Sequence, residues 1–523
     1  SDSKLVKTWD CSTGVWQGDP LGTHHMMFAI IDFLQAMLDK FTPENVFNSE
    51  QSSRRITAQQ ISVADDLTHV TRRRHVIDLA RFVVQEAPKH GVVLNISKWQ
   101  IFMPLHSEER SVESLALYHT LREMGADISI HGIDRLLGAP VATVQAAVAD
   151  GGHIDRITTK AVSLVQKIAN LHTPQSQYGM LLYCASTTMT HLARLMPPHI
   201  LNGFSERLKQ ALLVGVESML TLQNFHHYQR ALTTLPTREG GLGLTSAHDV
   251  LITAYIASHG ATIVTLKKTL WSESPRIAQV LVAKASLLNC IEQYNQLVRE
   301  SDVRLRAKLL DPERPDMWPP QSILSAVQFH ATANELEAEM AVDQPRMAGC
   351  FASMRRKGSG SFLRVIHSKY EYRVSPELFR LQISMRIMAP IPVLRSEKCI
   401  CGYAGPDLEN GMHFITGCNR VSKSTTRHNM VLNTVQKFLE RLGYIVRPGE
   451  NAAWFRYDKH LRPFDIVAKA DPTQKWIGID IGLADPTRTG MLQSGEHYFK
   501  SGKAADRLCT KKLDWMRNAK RMH

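Results

Sequence analysis

The stretch from Cys399 to Asp480 constrains this chain most. It opens with Cys399, Cys401, His413 and Cys418, while the other cysteines are scattered singly. Zinc prefers tetrahedral thiolate and imidazole ligands, so three Cys and one His predict a closed structural site. Cys-x-Cys is tighter than the commoner Cys-x2-Cys, and Gly402 stands at the turn the pair needs. The competing reading is three buried cysteines beside an unrelated histidine. Next, Arg427-His428-Asn429 opens a helix. Its expected buried stripe is Val431, Leu432, Val435, Phe438, Leu439 and Leu442, and Gly443 is its C-cap. Two aspartates follow on apolar strands: Asp465 among Phe464, Ile466 and Val467, and Asp480 among Trp476, Ile477, Ile479 and Ile481. A carboxylate inside an apolar strand is costly unless it is paired or binds a cation. Two such strands side by side would hold a hard, oxygen-ligated cation such as magnesium. That is the arrangement of a metal-dependent nuclease.

A chain of 523 residues predicts roughly three or four domains at ~150 residues each. The net charge is +13, which favours a polyanionic partner. The basic residues cluster at Arg72-Arg73-Arg74, at Arg355-Arg356-Lys357 and along the segment from Lys500 to His523. Any one cluster alone reads equally as a solvated face. Sparse cysteines without a disulfide rhythm suit a reducing compartment. No apolar run reaches the roughly 18 residues of a membrane span. Met26 to Phe41 comes closest, interrupted by Asp32, Gln35 and Asp39.

From the start, Cys11 to Gly22 is a Gly-rich turn containing Gln17 and Gly18, and it leads into an apolar helix over about Thr23 to Phe41. Ile61 to Val70 has apolar residues flanking Asp65 and Asp66, the pattern of a hairpin with carboxylates at its tip. Leu94-Asn95 with Lys98, and then Leu137-Gly138, come next. In order and spacing these segments resemble the palm of non-LTR retrotransposon reverse transcriptases. The resemblance implies that Gln17 and Gly18 contact template and incoming nucleotide. It makes Asp65 and Asp66 ligands of catalytic magnesium and puts Lys98 near the triphosphate; Leu137-Gly138 becomes the primer grip. Phosphoryl transfer of that kind uses carboxylate-held metals at the attacking and leaving oxygens. Val63 departs mildly, since the family usually has an aromatic residue there. The earlier palm strand, with another metal-binding aspartate, and the fingers are expected before Ser1.

From about Asp150 to His330 the periodicity is helical, clearest over Ala161 to Leu171 and Ser205 to Leu222. Leu235-Pro236 and Gly240-Gly241-Leu242-Gly243 punctuate it, as similar elements do after the palm in these retroelements. Arg355 to Ser361 reads as a flexible basic loop, either a phosphate contact or a plain linker. Pro376 to Met388 reads as a helix ended by Pro390 and Pro392.

The Cys-Cys-His-Cys cluster, Arg427-His428-Asn429, Pro463-Phe464-Asp465 and Asp480 together resemble the restriction-like endonuclease of site-specific retroelements of the CRE, SLACS and CZAR kind. The resemblance makes Asp465 and Asp480 catalytic ligands of magnesium or manganese. It makes Arg427 and His428 nucleic-acid contacts. It calls for a catalytic lysine near an aromatic residue, best matched by Lys511 with Trp515; Lys512, Lys500 and Lys503 are rivals. The implied fold class is α/β multidomain. Its parts are a partial palm over about 1–145, a helical thumb and connector over 146–344, a basic linker with a helix over 345–398, a zinc knuckle over 399–420, and a PD-(D/E)xK-type nuclease over 421–523. The implied partners are element RNA, target DNA and dNTPs, with no membrane, in the nucleus, and the implied process is target-primed reverse transcription. The rival is a truncated, inactive remnant that only binds nucleic acid.

Overall fold

The structure is a computed structural model. It describes residues 31–37, 40, 58–63, 66–71, 75–94, 100–102, 119–124, 127–129, 133–136, 139–142, 152–268, 274–300, 309–365, 372–391, 398–405, 408–411, 413, 418, 424–448, 464–481 and 510. The described residues are mostly helical, with short strand pairs and one three-stranded sheet. They divide into two compact units, residues 1–153 with 266–278, and 154–265 with 279–523.

In the first unit, β1 (Ala58–Val63) pairs antiparallel with β2 (Asp66–Thr71), and the last pair before the connection is Val63 with Asp66. The apolar pattern of Ile61 to Val70 therefore does fold as an antiparallel strand pair, and Ala64 and Asp65 lie outside the described residues. Helix α1 (Val76–Glu86) follows. Its Leu79 and Val83 pack with Ala87 against Phe33 and Met37 of the helical residues 31–37, the one-turn spacing that places side chains on one helix face. Strands β3 (Gln100–Phe102) and β4 (Asp127–Ser129) pair in parallel. Strands β5 (Ile133–Leu136) and β6 (Ala139–Ala142) form a second antiparallel pair, whose last registered residues are Leu136 and Ala139.

The second unit begins with helices α2 (Gly152–Ala169), α3 (Pro174–Met180), α4 (Thr190–Leu195), α5 (Pro198–Leu220) and α6 (His227–Thr234). Leu201, Leu208, Leu212, Val216 and Met219 bury one face of α5. Next come α7 (Ala247–Lys268), α8 (Ser274–Val282), α9 (Ala285–Glu300), α10 (Gln321–Asp343), α11 (Pro345–Met354) and α12 (Pro376–Arg386). By length and composition, α7 is apolar enough to cross a membrane. Its Ala254, Tyr255, Ile256 and Ile263 are fully buried within the unit, which is how a central core helix behaves.

Between α6 and α7 the chain doubles back. Gly240 and Gly243 have φ of 92° and 85°, the left-handed region that glycine enters without penalty. A Cβ on Gly241 would collide with the Leu235 and Leu232 carbonyl oxygens. That closeness lets the Leu242 N–H donate to Leu232 O at 2.8 Å and the Gly243 N–H donate to Leu235 O at 2.8 Å. Tyr178 donates its hydroxyl to Leu242 O at 2.5 Å.

Arg355 packs beside this turn, so of the basic Arg355-Arg356-Lys357 run this arginine is held inside the fold. Its guanidinium bonds Glu337 Oε2 at 2.6 Å, Glu239 Oε2 at 3.2 Å and Asn334 Oδ1 at 2.8 Å. Arg386, also buried, donates to Thr237 O at 2.8 Å and to Ser359 Oγ at 3.2 Å. Gly360 lies against Arg386 and Thr237. Two buried acids need a buried cation, so Arg355 is spent inside the fold, while Arg356 and Lys357 remain exposed.

The chain then passes the Cys/His cluster into α13 (Ser424–Arg441), β7 (Ile445–Pro448), β8 (Ile466–Lys469) and β9 (Ile477–Ile479). The strands form one antiparallel sheet in the order β7-β8-β9. Gly443, at φ 83°, ends α13 as expected, and the Tyr444 N–H donates to Leu439 O at 3.0 Å. The expected stripe is only partly covered. Leu432, Val435 and Leu439 are half-buried, but Val431, Phe438 and Leu442 are exposed.

Candidate metal centres

The sulfur atoms of Cys399, Cys401 and Cys418 and a ring nitrogen of His413 all lie within 4.8 Å of one another. Local backbone bonds build the site. The Gly402 N–H donates to Cys399 O at 2.8 Å, with Gly402 at φ 88°, which turns the Cys-x-Cys loop. The Cys418 N–H donates to His413 O at 2.9 Å and brings the second half of the ligand set in. Cys399 Sγ lies 3.6 Å from Cys418 Sγ, and Cys401 Sγ lies 3.2 Å from His413 Nε2. A disulfide would need sulfurs at about 2.05 Å. Tetrahedral zinc with bonds of about 2.3 Å separates its sulfurs by roughly 3.8 Å. The four side chains could therefore hold a metal ion such as zinc. Cys399, Cys418 and His413 are buried, as a structural site requires. Tyr403 stacks on the His413 ring, with centroids 4.3 Å apart and planes at 7°. Arg346 of α11 donates to the Tyr403 hydroxyl at 3.4 Å. Tyr403 thus ties the cluster to the helices, a role its sequence position gave no sign of.

The second site is at one end of the β7-β8-β9 sheet. Asp465 and Asp480 flank the strands instead of sitting inside them: Asp465 immediately precedes β8, and Asp480 immediately follows β9. The last registered pair is Ile466 with Ile479, and the Asp465 N–H donates to the same Ile479 O at 3.0 Å, one residue out of that register, so the ladder ends in a bulge. Asp465 and Asp480 lie at the same end of the β8-β9 pair, each next to its last registered residue. Both are half-buried. The Ile481 N–H donates to Asp465 Oδ2 at 2.6 Å, and His428 Nε2 lies 3.1 Å from the same oxygen. Contact with Asn429 favours the charged form of His428 most; partial burial opposes it, and the Asp465 carboxylate adds to the rise, so the His428 pKa lies above its ordinary value. The structure thus brings His428 to Asp465, with Asp480 at the same sheet end, and gathers Cys399, Cys401, His413 and Cys418 into the other site. Arg427 lies next to His428 on α13 and is half-buried.

Asp66 is the first residue of β2. The remaining expected site residues, Gln17, Gly18, Asp65, Lys98, Leu137, Gly138 and Lys511, lie outside the described residues. No protein-family model matches the chain, and no curated protein sequence matches it significantly.

Proposed function

We propose that this protein is a metal-dependent DNA endonuclease of the restriction-like kind, belonging to a non-LTR retroelement protein whose reverse-transcriptase palm includes the β1–β2 hairpin. The observation that carries the nuclease reading is the meeting of Asp465 and Asp480 at neighbouring ends of β8 and β9, with His428 bonded to Asp465. Two half-buried carboxylates at one end of a sheet are better tolerated with a cation between them. Magnesium or manganese held there would polarise a scissile phosphate and make a bound water more acidic. The chain's own residues do the rest. Ile481 N–H and His428 hold Asp465 in one orientation, at the sheet end where Asp480 follows β9. Lys511, arriving in a basic C-terminal segment, would meet charge that develops on the phosphate in the transition state. Zinc in the Cys399, Cys401, His413 and Cys418 site is structural in this account, because four protein ligands leave no open position.

On the polymerase side, Asp66 opens β2 and follows Asp65 in the sequence; carboxylates paired at a hairpin tip would serve phosphoryl transfer. In the whole element the nick would supply the 3′ hydroxyl from which RNA is copied. The test of the nuclease reading is supercoiled plasmid incubated with the protein in magnesium and in EDTA, with Asp465→Ala alongside. Conversion to open circle is expected in magnesium alone, and only with the unsubstituted protein. Equal conversion by Asp465→Ala would remove this site from the reaction.

A further inference from the structure

The β7-β8-β9 sheet carries more than the two acids at its end. Side chains alternate between the faces of a strand. With the observed register, Val467 and Lys469 of β8 share a face with Gly478 of β9, with Trp476 just before it and with Arg447 of β7, and the Phe464 ring lies over Gly478. The acids flank the strands at one end of the sheet. At the other end the Arg447 guanidinium lies 5.1 Å from the Trp476 ring centroid, and Lys469 Nζ lies 4.9 Å from the same centroid.

Two cations gathered on one ring repel each other, so among the described residues positive charge is in excess at this end of the sheet. Among the described residues neither cation forms an ion pair with a carboxylate. Lys469 donates to the Pro472 carbonyl at 2.9 Å. The nearest acid, Asp471, is engaged by the Thr473 N–H and hydroxyl, both at 2.6 Å, though Lys469 contributes to its lowered pKa. Lys475 is exposed beside Trp476, and Arg447 is exposed as well. The ring contacts hold two long side chains in place, so less rotamer freedom remains to be lost when an anion binds.

We propose that Arg447, Trp476 and Lys469 form the surface on which duplex DNA docks through its phosphate backbone, beside the acids that cut it. Charge complementarity makes the occupant a polyanion, and continuity with Asp465 and Asp480 makes it the cleaved duplex; the identity of the occupant therefore rests on the nuclease reading. Asp465 and Lys469 are four positions apart in the chain, at most about 13 Å at 3.3 Å per residue. That is roughly four base-pair steps of rise along a duplex, so one duplex could span from the acids to Trp476.

The test is binding of the full chain, carrying Asp480→Ala to prevent cutting, to a short labelled duplex over a salt series. Arg447→Gln with Lys469→Gln should flatten the slope of log affinity against log salt by about 1.8 and weaken binding about 50-fold at ~0.1 M salt. Arg441→Gln, an exposed arginine at the end of α13, is the control and should change neither by much. Lys469→Gln alone is the second variant should the double one melt early, and it should produce about half the change in slope. Trp476→Leu keeps both charges and should weaken binding with little change of slope. The proposal is overturned if the glutamine variants bind duplex as tightly as their parent, if Arg441→Gln loses as much as they do, or if the loss appears with single-stranded RNA and not with duplex. Plasmid nicking by the unsubstituted chain is scored separately. No nicking with the slope change intact would sink the nuclease reading and leave the DNA surface standing; nicking without the slope change would do the reverse.

Discussion

His428 Nε2 lies 3.1 Å from Asp465 Oδ2, joining the start of α13 to the edge of β8 at the oxygen that also accepts the Ile481 N–H. Histidine here is a positioning residue: it fixes which way the Asp465 carboxylate faces. Partners behind a metal ligand are typically worth about 10–100-fold in metal affinity or activity. His428→Ala should therefore raise the magnesium needed for half-maximal nicking by about 10–100-fold, with the maximal rate largely recovered at high magnesium, and His428→Gln should restore part of the loss. A magnesium titration of nicking checks this. An unchanged half-saturation point would remove His428 from the support of Asp465.

The Cys/His cluster predicts one zinc per chain. Cys418 is almost fully buried and closes the ligand set at 3.6 Å from Cys399. Cys418→Ser should release the zinc and lower the unfolding temperature, because the binding energy of a structural zinc is folding energy. Elemental analysis of the folded protein beside a thermal melt measures both. A folded wild-type sample without zinc would refute the assignment.

Arg355 predicts a large stability effect far from either site. Its side chain, with those of Glu239 and Glu337, is only 9%, 11% and 8% exposed. Removing one member of such a group leaves a buried charge unpaired and costs about 3–5 kcal/mol. Arg355→Ala should lower stability by about that much in denaturant unfolding. A change below about 1 kcal/mol, as exposed ion pairs give, would contradict the buried assignment.

Glu239 adds a pH dependence. Burial raises its carboxyl pKa, but the hydrogen bond with His330 and the charge of Arg355 outweigh burial and leave it below the ordinary value of 4.5. A carboxylate whose folded pKa is depressed contributes stability above the unfolded value and loses it as pH falls through the folded one. The stability difference between wild type and Glu239→Gln should be constant near neutral pH and fade as pH drops below 4.5. Urea titrations at a series of acid pH values measure it. A difference that grows with acid would reverse the assigned shift.

How much of this was legible before the structure depends on the range of the signal. Local signals read well. Ser375 before Pro376 caps α12, accepting the Leu378 N–H, and Gly443 stops α13. The spacing of Cys399, Cys401, His413 and Cys418 announced a ligand set because a metal needs few residues close in sequence. The exposed half of the α13 stripe was not legible. Periodicity tells which face is apolar, but not whether another element covers it, and Phe438 remains exposed. Arg355 misled for a related reason. Beside Arg356, Lys357 and two glycines it resembles a solvated loop, while its partner Glu239 comes from a turn more than a hundred residues earlier. The pairing of Asp465 with His428 likewise depends on how a helix crosses a sheet end, and no local pattern encodes that crossing.

The central claim is that Asp480 and Asp465 hold the cation that cuts DNA. The most direct measurement is the single-turnover rate of nicking of supercoiled plasmid in magnesium by the full chain and by Asp480→Ala, with duplex binding measured on the same samples. Losing one of two metal-binding carboxylates should slow nicking by ~10³-fold, equivalent to about 4 kcal/mol of transition-state stabilisation. DNA affinity should be unchanged or tighter, since a repelling carboxylate is gone and the phosphate contacts come from arginine and lysine. Equal nicking rates at equal binding would contradict the account.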